Sequence, residues 1–193
     1  MAVWNQHNKV KIDYKQAETF LSDRAYFRSD FYFIDNYVVH DCLDDEEFEH
    51  LLYECEEFDY YMPTKSVIRE FENRGYWNDE SVIEGQKEMD NFLAEYIKDK
   101  RKLEDLQDEV VFSSHRITSN AEIKYMLETN KAPLDDTEFC ERFERLYNKL
   151  RDNNRIWELR GFTPPTFKEK TGKAVRPFKM PSVKKNVAKK RKK

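Results

Sequence analysis

The chain has 193 residues, of which 37% are charged and 15% are aromatic, and its formal net charge is -4. Its four glycines do not cluster, which excludes dinucleotide-binding fingerprints and P-loops, because both need several glycines within one short loop. The longest apolar stretches are too short to span a bilayer, and the first residues lack the basic and apolar regions of a signal peptide. We therefore expect a cytoplasmic protein without membrane contact.

The N-terminal region carries one clear helical pattern and one ambiguous segment. Apolar residues in the segment 14–21 recur at helical spacing. The segment 31–39 is aromatic and β-branched, which is typical of either a strand or a buried helix. We expect a helix there, because no second convincing strand exists to pair with it.

Three further helices are predicted from capping residues and apolar spacing. The first begins near Asp44, which has the spacing of a capping box with Glu47. The second begins after Thr64, and Gly75 is well placed to end it. The third covers approximately residues 80–100.

The remaining part of the body also has helical periodicity. Apolar residues in the segment 103–111 either continue the preceding helix or form its neighbour, and Ser119 with Glu122 predicts a capping box ahead of another helix. The clearest helix covers residues 136–152, where one apolar stripe comprises Phe139, Phe143, Leu146, Tyr147 and Leu150. The predicted fold class is therefore all-α, or mainly α, as one compact multi-helix domain.

The net charge conceals a strong asymmetry along the chain. The segment 161–193 contains ten lysines, two arginines and one glutamate, which amounts to +11 and leaves -15 on residues 1–160. Four prolines and the absence of helical periodicity predict disorder from residue 165 onward. The sequence therefore predicts an acidic helical domain over residues 1–164 and a basic, lysine-rich tail over residues 165–193.

The last ten residues carry seven positive charges. Such a run is typical of polyanion-binding segments, because each phosphate contact releases condensed counterions. We expect the tail to contact nucleic acid or the ribosome through Lys184, Lys185, Lys189, Lys190, Arg191, Lys192 and Lys193. The alternatives are a purely solubilising tail and a tail that folds back onto the acidic body.

Two patterns are similar to metal-ligand sets but lack members. Glu47 and His50 have the spacing of ligands in di-iron carboxylate bundles, but no second Glu-x-x-His exists in the chain. His40, Cys42, His50 and Cys55 supply zinc-type ligands without a Cys-x-x-Cys pair. We therefore expect no metal and no cofactor.

A third pattern is the His40-Asp41 pair, which has His7 upstream and several aspartates downstream. This order is similar to that of all-α metal-dependent phosphohydrolases of the HD type, which hold an ion with a His, a His-Asp pair and a later Asp. No serine, cysteine or lysine nucleophile can be singled out, and we assign no catalytic residue.

The segment 153–164 reads Asn-Asn-Arg-Ile-Trp-Glu-Leu-Arg-Gly-Phe-Thr-Pro. This stretch resembles a signature of bacterial, mostly Gram-positive, proteins that carry a C-terminal SEC-C zinc motif. A second resemblance is to the middle region of the same proteins. It rests on the segment 61–65, Tyr-Met-Pro-Thr-Lys, and on Gly75-Tyr76 further along the chain. The resemblance implies a helical scaffold that serves as an adaptor for proteins or ribosomes.

The chain departs from that family in one respect, since no cysteine follows Cys140 and zinc binding cannot be carried over. We expect the asparagines to end the long helix in a left-handed conformation, and Trp157 to fold over its apolar stripe. Gly161 and Pro164 then turn the chain outward and stop further helix. The candidate partner-contact residues are Asn153, Asn154, Arg155 and Trp157.

The favoured function is that of a non-enzymatic interaction or adaptor protein of a bacterium or phage, whose basic tail contacts nucleic acid or ribonucleoprotein. Removal of residues 165–193 is then expected to abolish polyanion binding and leave folding intact. One alternative is an acidic nucleic-acid mimic that inhibits a nuclease or a defence or restriction system. The other alternative is the HD-type phosphohydrolase.

Overall fold

A computed structural model of the chain describes residues 2–27, 31–34, 37–40, 43, 45–54, 57–74 and 85–180. The fold is mainly α-helical, as predicted. The chain divides into two compact units, Met1–Ser81 and Val82–Lys193, which are called unit 1 and unit 2 below. The division between the units falls within the predicted domain of residues 1–164, and each unit is described by itself.

Unit 1 is built from short helices and one β-hairpin. The helices predicted from residue 14, near residue 44 and after Thr64 are confirmed as α2, α3 and α4, while Asp44 and Gly75 lie outside the described residues. Its elements are α1 (Ala2–His7), α2 (Tyr14–Phe27), β1 (Phe31–Ile34), β2 (Tyr37–His40), α3 (Asp45–Glu54) and α4 (Lys65–Arg74).

The helix predicted over residues 31–39 is wrong, because this segment forms the antiparallel pair β1–β2. Phe31 pairs with His40 and Ile34 pairs with Tyr37, so the first half of the segment finds its partner in the second half.

The hairpin contacts α3, and both contribute buried apolar side chains. Val39, Leu43 and Phe48 are buried, and the Tyr37 ring lies edge-on to Phe48 at 5.3 Å between centroids. The Tyr32 hydroxyl donates a 2.6 Å hydrogen bond to the Leu43 carbonyl, which ties β1 to the start of α3. The hairpin is therefore held by side-chain packing in addition to its own strand pairing.

Unit 2 is a helical bundle in which side chains cap the first turn of four helices, whereas the first helix starts at Gly85 without a side-chain cap. The Asp99 carboxylate caps α6, Ser119 and Glu122 form the predicted capping box of α7, and Asp136 caps α8. The segment 103–111 belongs to α6, a neighbour of α5. The elements are α5 (Gln86–Tyr96), α6 (Lys100–Ser114), α7 (Asn120–Thr129), α8 (Thr137–Asn153), a 3₁₀ turn (Trp157–Leu159) and α9 (Pro164–Thr171).

Helix α8 lies at the centre of unit 2, where it contacts α5, α6 and α9. All five residues of its predicted apolar stripe are buried, so the 3.6-residue periodicity is confirmed. The facing helices contribute Met89, Phe92, Leu93, Leu106, Val110, Ile123 and Leu127 to the same core.

The disorder predicted from residue 165 onward is wrong for residues 165–180, which the structure describes. Pro164 does not stop the chain from becoming helical but occupies the first turn of α9, where proline needs no amide donor, and Thr163 caps this helix. Gly172 ends α9 at φ +75°, and Phe178 is 2% exposed within the core of unit 2. Residues 164–180 therefore belong to the fold, while residues 181–193 lie outside the described residues.

We predict that Phe178→Ala lowers the free energy of unfolding by about 3–5 kcal/mol, because it leaves a cavity in the core. Urea unfolding followed by circular dichroism measures this effect. Tyr125→Ala is the matched control, since this ring is 71% exposed and its loss is expected to cost less than about 0.5 kcal/mol.

The same assay distinguishes two truncations of the chain. A chain that ends at residue 180 is expected to keep its stability, whereas one that ends at residue 164 is expected to lose it. The expected instability of the chain that ends at residue 164 replaces the expectation that removal of residues 165–193 leaves folding intact. Equal stability of the two truncated chains would contradict the burial of Phe178 in the core of unit 2.

Candidate nucleic-acid interface

The segment 172–180, which we call the strap, is attached to α8 at three successive positions. The Arg151 guanidinium donates to the Arg176 carbonyl. The Asn148 amide both donates to the Phe178 carbonyl, at 3.0 Å, and accepts from the Phe178 amide, at 2.8 Å. The strap therefore has its backbone hydrogen bonds satisfied by side chains of α8.

The order of these contacts defines the direction and the conformation of the strap. Met180 donates its amide to Glu144 at 2.9 Å, so the chain moves from the C-terminal part of α8 toward its N-terminal part. From 144 to 151 a helix rises about 10 Å, and the four residues from 176 to 180 span about 13 Å when extended. The strap is thus an extended segment antiparallel to α8.

The Phe178 ring anchors the strap in the core. Its centroid lies 6.0 Å from that of Phe143 and 5.2 Å from that of Tyr147, and both contacts are edge-to-face. The Tyr147 hydroxyl lies deeper and donates to the Ser113 hydroxyl of α6 at 3.1 Å. One ring therefore joins the end of the described chain to the packed helices.

Glu144 makes the last polar attachment of the strap. One carboxylate oxygen accepts from the Lys179 ammonium at 2.7 Å, and the other accepts from the Met180 amide. The hydrogen bond from Lys179 holds the pKa of Glu144 below its usual value of 4.5. Burial of the carboxylate acts in the opposite direction, and the hydrogen bond from the Met180 amide lowers the pKa further. The charged carboxylate is therefore the form that holds the strap.

The part of the predicted tail that the structure describes contains exposed cations. Between residues 164 and 180 the only acidic residue is Glu169. Five basic side chains alternate with the buried anchors and are exposed: Lys168, Lys170, Lys173, Arg176 and Lys179. The predicted nucleic-acid-binding residues Lys184, Lys185, Lys189, Lys190, Arg191, Lys192 and Lys193 lie outside the described residues, four or more positions beyond Met180.

The candidate partner-contact residues Asn153 and Asn154 end α8, as predicted, but in a different conformation. Asn154 has extended backbone angles, φ -92° and ψ 148°, and not the expected left-handed ones. Its buried amide donates to the Ser114 hydroxyl of α6. Asn153 is exposed and donates to the Lys149 carbonyl at 2.8 Å.

Arg155 and Trp157 attach the following turn to the end of α6. The Arg155 guanidinium donates to the Gly161 carbonyl at 2.8 Å, and its own carbonyl accepts from His115 Nδ1 at 3.0 Å. The Trp157 ring lies edge-on to Phe112 of α6 at 5.6 Å, and its packing on the apolar stripe of α8 stays a prediction. These side chains hold the turn together.

The residues of the proposed metal sites are not brought together in the described part of the chain. His40 lies in β2, His50 lies on α3, and His7 Nε2 donates to the Pro63 carbonyl at 2.7 Å. The other members, Asp41, Cys42 and Cys55, lie outside the described residues. Within those residues, no group of three or more His, Cys, Asp or Glu side chains is arranged to hold a metal ion.

The charge asymmetry follows the division into units. The segment Met1–Ser81 has eight basic and nineteen acidic residues, a net charge of -11, whereas Val82–Lys193 has twenty-six basic and nineteen acidic residues, a net charge of +7. The acidic charge predicted for residues 1–160 as a whole is thus concentrated in unit 1. Helix α3 contains no lysine or arginine.

No protein-family model, curated protein or solved structure matches this chain. The resemblance to SEC-C proteins therefore stays a prediction. None of the described helices has the length and apolar character that crossing a membrane requires.

We predict that Glu144→Gln lowers the thermal unfolding midpoint at pH 7, because the charged partner of Lys179 is lost. A carboxyl whose pKa is depressed by folding stabilises the protein above its unfolded pKa of about 4.5, and this contribution disappears as the pH falls through the folded pKa. The difference between the variant and the unchanged chain is therefore expected to shrink below about pH 4.5.

The control for this experiment is Glu141→Gln, an exposed position on the same helix. This substitution is expected to change the midpoint little at either pH. A Glu144→Gln effect of equal size at pH 7 and pH 3 would contradict the role of the carboxylate charge.

Proposed function

We propose that this protein is a non-enzymatic binding protein whose basic C-terminal segment contacts the phosphate backbone of a nucleic acid, free or within a ribonucleoprotein. The observation that supports the proposal is the segregation of charge: residues 161–193 carry +11 and residues 1–160 carry -15. Phosphate contacts of this kind provide affinity that is independent of base sequence and depends strongly on salt. The proposal assigns no catalytic residue.

The attachment of the strap to α8 supports the proposal because it determines where the lysine-rich run starts. The chain from Met180 to Lys184 reaches at most about 14 Å even when fully extended. The first cations of the run therefore act close to the surface of unit 2. A solubilising extension would need no such attachment.

The test is the binding of fluorescein-labelled 20-nucleotide RNA, measured by anisotropy at several salt concentrations. All seven cations of residues 184–193 are changed to glutamine in one variant and the six lysines to arginine in its control. For seven phosphate contacts with a single strand, the slope of log K against log salt is about -5. We expect the glutamine variant to lose binding and the arginine variant to keep it.

Equal affinities of the unchanged chain and the glutamine variant would contradict the proposal. Equal loss in the glutamine and arginine variants would also contradict it, because charge would then not be the property that matters. The same titration with a 20-base-pair DNA duplex distinguishes single-stranded from double-stranded ligands, since the slope per contact is larger for the duplex.

The second candidate function is mimicry of a nucleic acid by unit 1, and the concentration of acidic residues in this unit favours it. On α3, Glu46 and Glu49 are exposed, and the Tyr53 side chain is 83% exposed beside them. Residues spaced by three and four positions share one helix face, so these groups form a single acidic surface with an aromatic member. A basic nucleic-acid-binding surface is its natural complement.

The matched experiment is inhibition of a panel of restriction endonucleases and nucleases by the purified chain. We expect the triple variant Glu46→Gln, Glu49→Gln, Tyr53→Ser to lose the inhibition, and Glu104→Gln with Glu128→Gln on unit 2 to keep it. Absence of inhibition, or equal inhibition by both variants, would contradict mimicry by α3.

A further inference from the structure

We propose that the phosphate-binding surface begins before the lysine-rich run, on α9 and the strap, where Lys168, Lys170 and Arg176 contact the same nucleic acid as residues 184–193. This inference rests on the proposed function and deepens it. The nucleic acid then needs a minimum length, because one continuous phosphate backbone has to contact both the cations of α9 and the strap and the lysine-rich run.

The first observation is the electrostatic state of these side chains. Lys168, Lys170 and Arg176 are exposed, and among the described residues none of the three takes part in an ion pair. Four other exposed or half-exposed cations of unit 2 are paired with carboxylates, in the pairs Lys100–Glu104, Lys124–Glu128, Arg142–Glu95 and Lys149–Glu88. Among the described residues, no ion pair therefore reduces the attraction of Lys168, Lys170 and Arg176 for an anion.

The second observation is that the backbone beneath these cations is fixed by contacts on its other side. Phe167 of α9 is 5% exposed, and Phe178 is buried two residues after Arg176. The Arg176 carbonyl itself accepts a hydrogen bond from the buried Arg151 guanidinium. Cations on an ordered backbone lose less conformational entropy when they bind than cations on a free chain, so each contact contributes more net affinity.

The three side chains suit the phosphate backbone more than a base edge. The two lysines are compact charges with three donors each, and the Arg176 guanidinium has the planar geometry for a bidentate contact with phosphate oxygens. Together with the seven cations of residues 184–193 they make ten positive charges. Full engagement gives a slope of about -7 for single strands and about -9 for duplexes.

A purely structural role for these residues makes a different prediction. Lys168 and Lys170 lie in the last turn of α9, where positive charge stabilises the C-terminal end of the helix dipole. If this were their only role, their removal would lower the stability of the fold and leave the salt dependence of binding unchanged. The salt slope is therefore the readout that separates the two roles.

The test uses the full chain with residues 184–193 intact and the labelled 20-nucleotide RNA. The variant is Lys168→Gln, Lys170→Gln, Arg176→Gln. The control is Lys98→Gln, Lys100→Gln, Arg101→Gln, which removes the same three charges from exposed positions around the start of α6. Lys173 and Lys179 stay unchanged, because both make contacts within the unit.

We expect the slope of the α9–strap variant to fall in magnitude by about 2, which is 0.7 for each lost contact, and that of the control to change by less than about 0.5. With the DNA duplex, the slope of the α9–strap variant is expected to fall in magnitude by about 2.7. Equal slopes for the variant and the control would overturn the inference.

The design also separates this inference from the proposed function. If neutralisation of residues 184–193 abolishes binding while the α9–strap variant binds as its control does, the inference fails and the proposed function stands. If the unchanged chain binds neither RNA nor duplex DNA, both fail. A five-nucleotide RNA is expected to show the same slope for the unchanged chain and the α9–strap variant, because it cannot reach both groups of cations.

Discussion

The burial of the Phe178 ring against Phe143 and Tyr147 is the interaction on which the C-terminal part of the structure depends. An aromatic side chain of this size contributes several kcal/mol when it is fully buried. That contribution offsets the entropy lost when an extended, proline-containing segment is ordered along α8. Without it, the polar attachments would have to hold the strap alone, and the Lys179–Glu144 ion pair, whose lysine is largely exposed, contributes little.

This packing also explains how a strongly basic segment can belong to a folded unit. The strap alternates between groups that face α8 and cations that face solvent, with Phe178 between Arg176 and Lys179. Lys179 pairs with the Glu144 carboxylate, whereas Lys168, Lys170 and Arg176 make no ion pair with the described residues. Ordered cations therefore lead directly into the lysine-rich run, on which the proposed phosphate binding depends.

The sequence predicted the elements whose signals are local. The apolar stripe of α8, the capping box at Ser119 and the helix start at Asp136 all depend on residues within a few positions of one another, and all are confirmed. The hairpin β1–β2 was not predicted, because each of its strands has only four residues and its partner is the other half of the same short segment.

The strap could not be predicted from such local signals. Its decisive contacts, between Asn148 and Phe178, join residues thirty positions apart. A segment of nine residues with three basic residues, one proline and no regular apolar spacing has the composition of a disordered chain. The turn at Asn154 and Trp157 shows the same limit, since the helix end was predicted while its partners, Ser114 and Phe112, were not.

Amide hydrogen exchange of the full chain tests the central claim most directly, because the Phe178 amide donates to Asn148 Oδ1 and the Met180 amide to Glu144. The account predicts that the Phe178 amide exchanges as slowly as the amides in the middle of α8, since both open only when the core of unit 2 opens. Exchange of the Phe178 amide at the rate of an unstructured peptide, beside a protected α8, would contradict the account.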